Sequence, residues 1–98
     1  MIELLIQDVV GDFGEDKDAA ARIRETIIKP SLTKCEHVML DFKGVNLVTQ
    51  SFIHALISDA LRSGGENTLD LIDFRNCSAV VRGIISTVVQ YSLDTVDP

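Results

Sequence analysis

Two hydroxyls and an amide stand together at Thr49-Gln50-Ser51, with His54 on the following turn and Asp41 closing an apolar run before them. Three chemistries would place a hydroxyl there. As a helix cap, Ser51 accepts from the free amides of a first turn, a contribution of about 1 kcal/mol. As a phosphoacceptor it gains roughly −1.5 to −2 charges where helix amides and the helix dipole favour anions. As a nucleophile it needs His54 as its base and a third group to orient that base, for which Asp41 is the nearby acid. Asp41 lies across a turn, however, where hydrogen-bonding the backbone that follows is its ordinary work. No catalytic set is assigned. Thr49 competes with Ser51 for the roles of cap and acceptor, and Gln50 bonds either loop backbone or a partner.

Other reactive side chains form no set. Cys35, His37, His54 and Cys77 lack the spacing of zinc ligands, so no metal is expected. Gly11-Asp12-Phe13-Gly14 has no lysine and too few glycines for a phosphate loop and reads as a plain turn. Glu15-Asp16-Lys17-Asp18 reads as a solvated helix start. No cofactor is expected.

The elements that must hold Thr49 to Ser51 follow from hydropathy. Residues 2–10 are rich in strand formers and stop at Gly11. Asp16 or Asp18 caps a helix from Lys17 to about Ile28, with Ala20, Ile23, Ile27 and Ile28 as its apolar stripe. Pro30 ends or kinks that helix. The continuous apolar run 37–42 predicts a strand buried on both faces, closed by Lys43-Gly44. Leu47 and Val48 bury the approach to a helix from about Ser51 to Arg62, stopped by Gly64-Gly65. A third strand over 68–74 precedes a helix capped by Asn76 or Ser78 and running to about Tyr91. Gly83 inside that helix suggests close packing against the sheet. Residues 92–98 read as a loose tail. Strands alternating with helices predict an α/β fold: a mostly parallel or mixed sheet of three to five strands with about three helices, its first strand parallel or antiparallel at an edge.

Ninety-eight residues, 46% of them hydrophobic, suit one domain over 1–98 with an aliphatic core, Trp being absent. A net charge of −6 and scattered basic residues argue against nucleic acid. Two distant cysteines fit a reducing compartment. The opening Met-Ile-Glu has no signal-peptide pattern, and no apolar run reaches the length of a bilayer span, so the expected location is the cytoplasm, away from membranes.

Residues 38–56, from Val38-Met39-Leu40-Asp41-Phe42 through Gly44-Val45 and Asn46-Leu47-Val48 to Ser51-Phe52, resemble the core of STAS domains, the modules of sulphate transporters and anti-sigma factor antagonists. The shorter STAS-like branch is the nearer resemblance. In the antagonists the matching stretch reads Asp-Ser-Ser-Gly, and its second serine is phosphorylated by a kinase of the GHKL ATPase type. Ser51 aligns with that serine, while Thr49, Gln50 and Phe52 replace the acid, the first serine and the glycine. The resemblance implies a non-catalytic regulatory module that docks a protein partner, a GHKL-type ATPase or an anti-sigma-like regulator, through residues 44–57. Gly44, Val45, Asn46, Gln50, Phe52 and His54 are the implied docking residues, and Ser51 or Thr49 the implied acceptor. The alternative from the residues alone is a small-ligand or nucleotide-binding domain using the same strand-end crevice. A homodimer through an exposed strand edge is a further expectation.

Overall fold

The computed structural model describes residues 1–94. In chain order the elements are β1 (Ile2–Leu5), α1 (Ile6–Val10), β2 (Phe13–Gly14), α2 (17–33), β3 (Val38–Asp41), β4 (Leu47–Val48), α3 (50–64), α4 (Glu66–Leu69), β5 (Ile72–Arg75) and α5 (Ala79–Asp94). β1, β3 and β5 form a parallel sheet with β3 in the middle, and β2 pairs with β4 in a separate parallel ribbon. The α/β class and parallel sheet match the expectation, and β1 is a parallel edge strand.

Aliphatic side chains make up most of the core, with Phe42 and Phe52 the largest fully buried residues. Val38 and Leu40 of β3, Ile53, Leu56, Ile57 and Leu61 of α3, and Val81, Ile85 and Val88 of α5 are all buried. On α3 and α5 these residues recur at the spacing that puts them on one side, which is why the sequence pattern located them.

Several boundaries differ from the reading of the sequence. The first strand stops at Leu5, because Ile6 turns inward to the core and residues 6–10 coil into α1. Phe13–Gly14 is strand β2, not a turn. Helix α2 passes through Pro30 to Thr33. A π-helical segment, Arg24–Ile28, precedes the proline, and its wider turn shifts the bonding pattern just before the residue that lacks an N–H. Residues 66–69 form α4, so the third strand begins at Ile72. Leu47 is exposed and only Val48 buries. Gly83 faces open space with no close neighbour, so it packs against nothing. Ser92 lies within α5, fully buried with its Oγ donating to Ser58 Oγ at 3.1 Å, so the expected tail is helical as far as Asp94. Residues 95–98 of that tail lie outside the described residues.

β3 is buried on one face only. Val38 and Leu40 are fully covered, while Met39 and Asp41 on the opposite face are half-buried. The apolar run read as two-sided because Met39 is itself hydrophobic.

Candidate functional site

β3 delivers the chain to a tight turn in which the Val45 N–H donates to the Phe42 carbonyl at 2.9 Å. Gly44 takes φ +83 there, a conformation natural only to glycine, and a Cβ on it would strike the Gln7 side chain. Asp41 secures the entrance. Its Oδ1 accepts from the Lys43 N–H and from Asn76 Nδ2, both at 2.9 Å. The Asn76 bond and then the Lys43 bond hold its carboxyl below the usual range. Asn76 adopts a left-handed backbone to reach it, and Ser78, not Asn76, accepts from the Val81 N–H to start α5.

The strand–helix junction is set by pairing with a second one. Asn46 N–H donates to the Asp12 carbonyl at 2.8 Å and Thr49 N–H to the Gly14 carbonyl at 2.9 Å, which clamps β4 onto β2. Thr49 then caps α3: its Oγ1 accepts from the Phe52 N–H at 3.0 Å. α2 begins similarly, with Asp16 accepting from the Asp18 and Ala19 amides. Beyond the junction, Arg24 Nη1 donates to the Ala55 carbonyl at 2.9 Å, and Lys29 Nζ pairs with Asp59 at 2.8 Å. Both bonds tie the π-helical segment of α2, or its end, to that of α3, His54–Ser58. Asp59, then Glu25, raise the affinity of the Lys29 ammonium for its proton.

The sequence-derived site residues therefore fall into two groups. Gly44, Asn46, Gln50, Ser51 and His54 are exposed, and Thr49 is half-buried by its capping role. Val45 and Phe52 are buried in the core, so their side chains support the edge from beneath and offer nothing to a partner. Ser51 is not the helix cap, because the chain turns helical one residue earlier and Thr49 reaches the Phe52 amide first.

Gln50, Ser51 and His54 line an open groove of about 630 Å³ together with Lys17 from α2 and Val88 and Tyr91 from α5. His54 and Tyr91 face one another with ring centroids 6.5 Å apart and planes tilted by 51°. Lys17 and Tyr91 were not singled out in the sequence, since nothing local links them to Ser51. Only the pairing of β2 with β4, and of α3 with α5, brings them in. Asp41 is not among the groove residues and is committed to Asn76 and Lys43, so it does not orient His54 as a triad acid would.

The family model for the "STAS-like domain of unknown function (DUF4325)" matches residues 19–82. The chain belongs to this STAS-like family. No curated protein and no solved structure matches it. The family match runs from the first turn of α2 into α5 and contains the whole junction from Asp41 to His54, while Lys17, Val88 and Tyr91 of the groove lie outside it.

A second recess of about 340 Å³ lies between β5 and α5, with Phe74, Cys77, Arg82, Ile85 and Val89 on its walls. Burial pushes the Cys77 thiol up, with Arg82 opposing and Asp41 reinforcing that effect. Among the described residues no cluster of His, Cys, Asp and Glu could hold a metal ion. No helix among them is long and apolar enough to cross a membrane.

Proposed function

We propose that this STAS-like domain is a non-catalytic regulatory module that docks a protein partner through the edge formed by residues 44–57, with Ser51 as the hydroxyl whose phosphorylation switches docking. One observation carries the reading. Ser51 is exposed on the first turn of α3 and makes no capping bond, because Thr49 has taken that role. A free hydroxyl at a helix start, beside Lys17 and His54 in an open groove, has the surroundings a phosphate needs. Phe52 points into the core and does not crowd it. By resemblance to anti-sigma factor antagonists, the partner class is a GHKL-type ATPase or an anti-sigma-like regulator. A phosphate adds roughly −1.5 to −2 charges to the rim of an acidic protein and weakens docking to an acidic or apolar surface.

The test is recovery of partners from the native host with wild type, Ser51→Ala and Ser51→Glu. Selective loss of a partner with Ser51→Glu is expected. Equal recovery by all three removes the switch.

The groove also favours a second reading, a site for a nucleotide or small anion held by Lys17 and the hydroxyl. Thermal-shift measurements with nucleotides and inorganic phosphate separate the two. Saturable stabilisation at micromolar ligand, in the absence of any protein partner, selects the second reading.

A further inference from the structure

All-parallel sheets are covered on both faces in nearly every fold that uses them. Here one face lies outside the core. The strand register aligns Glu3 with Met39 and Asp73, and Leu5 with Asp41 and Arg75. None of these six side chains is buried, and neither Leu5 nor Met39 packs on the hydrophobic core, whereas five of the six alternate residues, Leu4, Val38, Leu40, Ile72 and Phe74, do, the exposed edge residue Ile2 being the exception. The sheet has a finished side and an unfinished one.

The unfinished face has a composition that specifies its cover. Leu5, 49% exposed, and the half-buried Met39 are its apolar pair, set on a diagonal of the strand register. Around it stand the carboxylates of Glu3, Asp41 and Asp73, against the single guanidinium of Arg75, which pairs with Asp73 at 3.5 Å. Asp41 is spent on Lys43 and Asn76, and Glu3 forms no ion pair among the described residues. A second copy of the chain would set these acids against themselves, in a protein of net charge −6. A basic partner neutralises them.

Dimensions narrow the partner further. Three strands at about 4.8 Å spacing present a face about 10 Å across, close to the diameter of one α-helix. Strands of four residues run about 13 Å, the length of roughly nine helical residues.

We propose that this face is a second docking surface, independent of the groove at Ser51, and that its occupant is one amphipathic helix of a partner protein with an apolar stripe flanked by Lys or Arg. Apolar residues of the helix cover Met39 and Leu5, and its basic flanks meet Glu3 and Asp73.

The experiment titrates the full isotope-labelled chain with a synthetic helical peptide, Leu at i, i+3, i+4 and i+7 and Lys on both flanks, following backbone amide shifts. Saturable shifts on Glu3, Leu5, Met39 and Asp73, with the Ser51 groove unmoved, are expected. Glu3→Lys combined with Asp73→Lys should weaken binding about tenfold or more, and the same peptide with Glu in place of Lys should not bind. Both substituted residues lie outside the core, and the amide spectrum of the free variant verifies its fold. Absence of saturable shifts at millimolar peptide, equal binding of the Glu peptide, shifts confined to the Ser51 groove, or self-association of the free chain through this face would each overturn the proposal.

Discussion

The chain builds the same unit twice, β2 into α2 and β4 into α3, and sets the two side by side. Each has a two-residue strand in the shared parallel ribbon, a side-chain cap, a π-helical segment, and a left-handed residue at the helix end. Aligned on their caps, Asp16 matches Thr49, Asp18 matches Ser51, and Ala19 matches Phe52. The first unit carries a fixed carboxylate at the second helical position, and the second carries a hydroxyl there. Negative charge near a helix start is favourable by about 0.3–1 kcal/mol. The first unit therefore holds permanently what the second could only acquire by modification, and the neutral cap at Thr49 leaves that option open.

The largest difference between the units lies one position on. Phe52 fills the core where Ala19 contributes little volume, and its ring comes near Gly14 of the other unit. Phe52→Ala should destabilise by about 3–5 kcal/mol in chemical denaturation. A loss below about 1 kcal/mol would mean the core does not rest on the second unit.

The helix ends give the next test. α2 closes with Glu36 N–H donating to the Ser31 carbonyl at 2.8 Å and Cys35 N–H to that of Leu32 at 3.0 Å, the double bond pattern that calls for a left-handed residue. Cys35 occupies it at φ +57, whereas Gly65 ends α3 at φ +61. Cys35→Gly should stabilise by up to about 1 kcal/mol, and Gly65→Ala should destabilise by at least that much. Opposite signs in paired melts sharpen the likeness of the two ends. Equal signs break it.

These two units also show what the sequence could convey. The second helix was legible because its apolar residues recur at helical spacing and Gly64-Gly65 marks its end. The end of α2 was not, since a cysteine stands where glycine is the signal and Pro30 suggested an earlier stop. The π-helical segment that carries the helix into that proline has no sequence mark of its own. The polar step at 49–51 was found, but which hydroxyl caps depended on one residue of register. The groove depended on Lys17 and Tyr91, which no local pattern ties to Ser51. The open face of the sheet was hidden by Met39, whose hydrophobicity imitates burial.

The assignment of the cap separates the two hydroxyls. Thr49→Ala should cost about 1 kcal/mol, as Asp16→Ala should in the first unit. Ser51→Ala should stay within about 0.5 kcal/mol of wild type, as expected of a surface side chain with no capping bond. Ser51→Asp should gain about 0.3–1 kcal/mol by giving α3 the charge that Asp18 gives α2. Thermal or denaturant melts of the four variants decide the matter. A Ser51→Ala loss as large as that of Thr49→Ala would return the cap to Ser51 and remove the free hydroxyl from the proposed switch.

The smallest effect concerns how each unit is entered. Asp41 pins the turn before β4 through Lys43 and Asn76, while among the described residues no side-chain bond pins Gly11-Asp12 before β2. Because those bonds depress the folded-state pKa of Asp41 below its unfolded value, their stabilisation is present above about pH 4. It is lost as pH falls through the lower, folded value. Asp41 is only half-buried, so solvent screens much of the effect. Asp41→Asn removes the titration, and its stability should therefore decline less steeply than that of wild type from about pH 4 to about pH 2. Parallel profiles would show that Asp41 does not hold the entry to the second unit, leaving the Val45–Phe42 backbone bond and the glycine conformation at Gly44 to fix that turn.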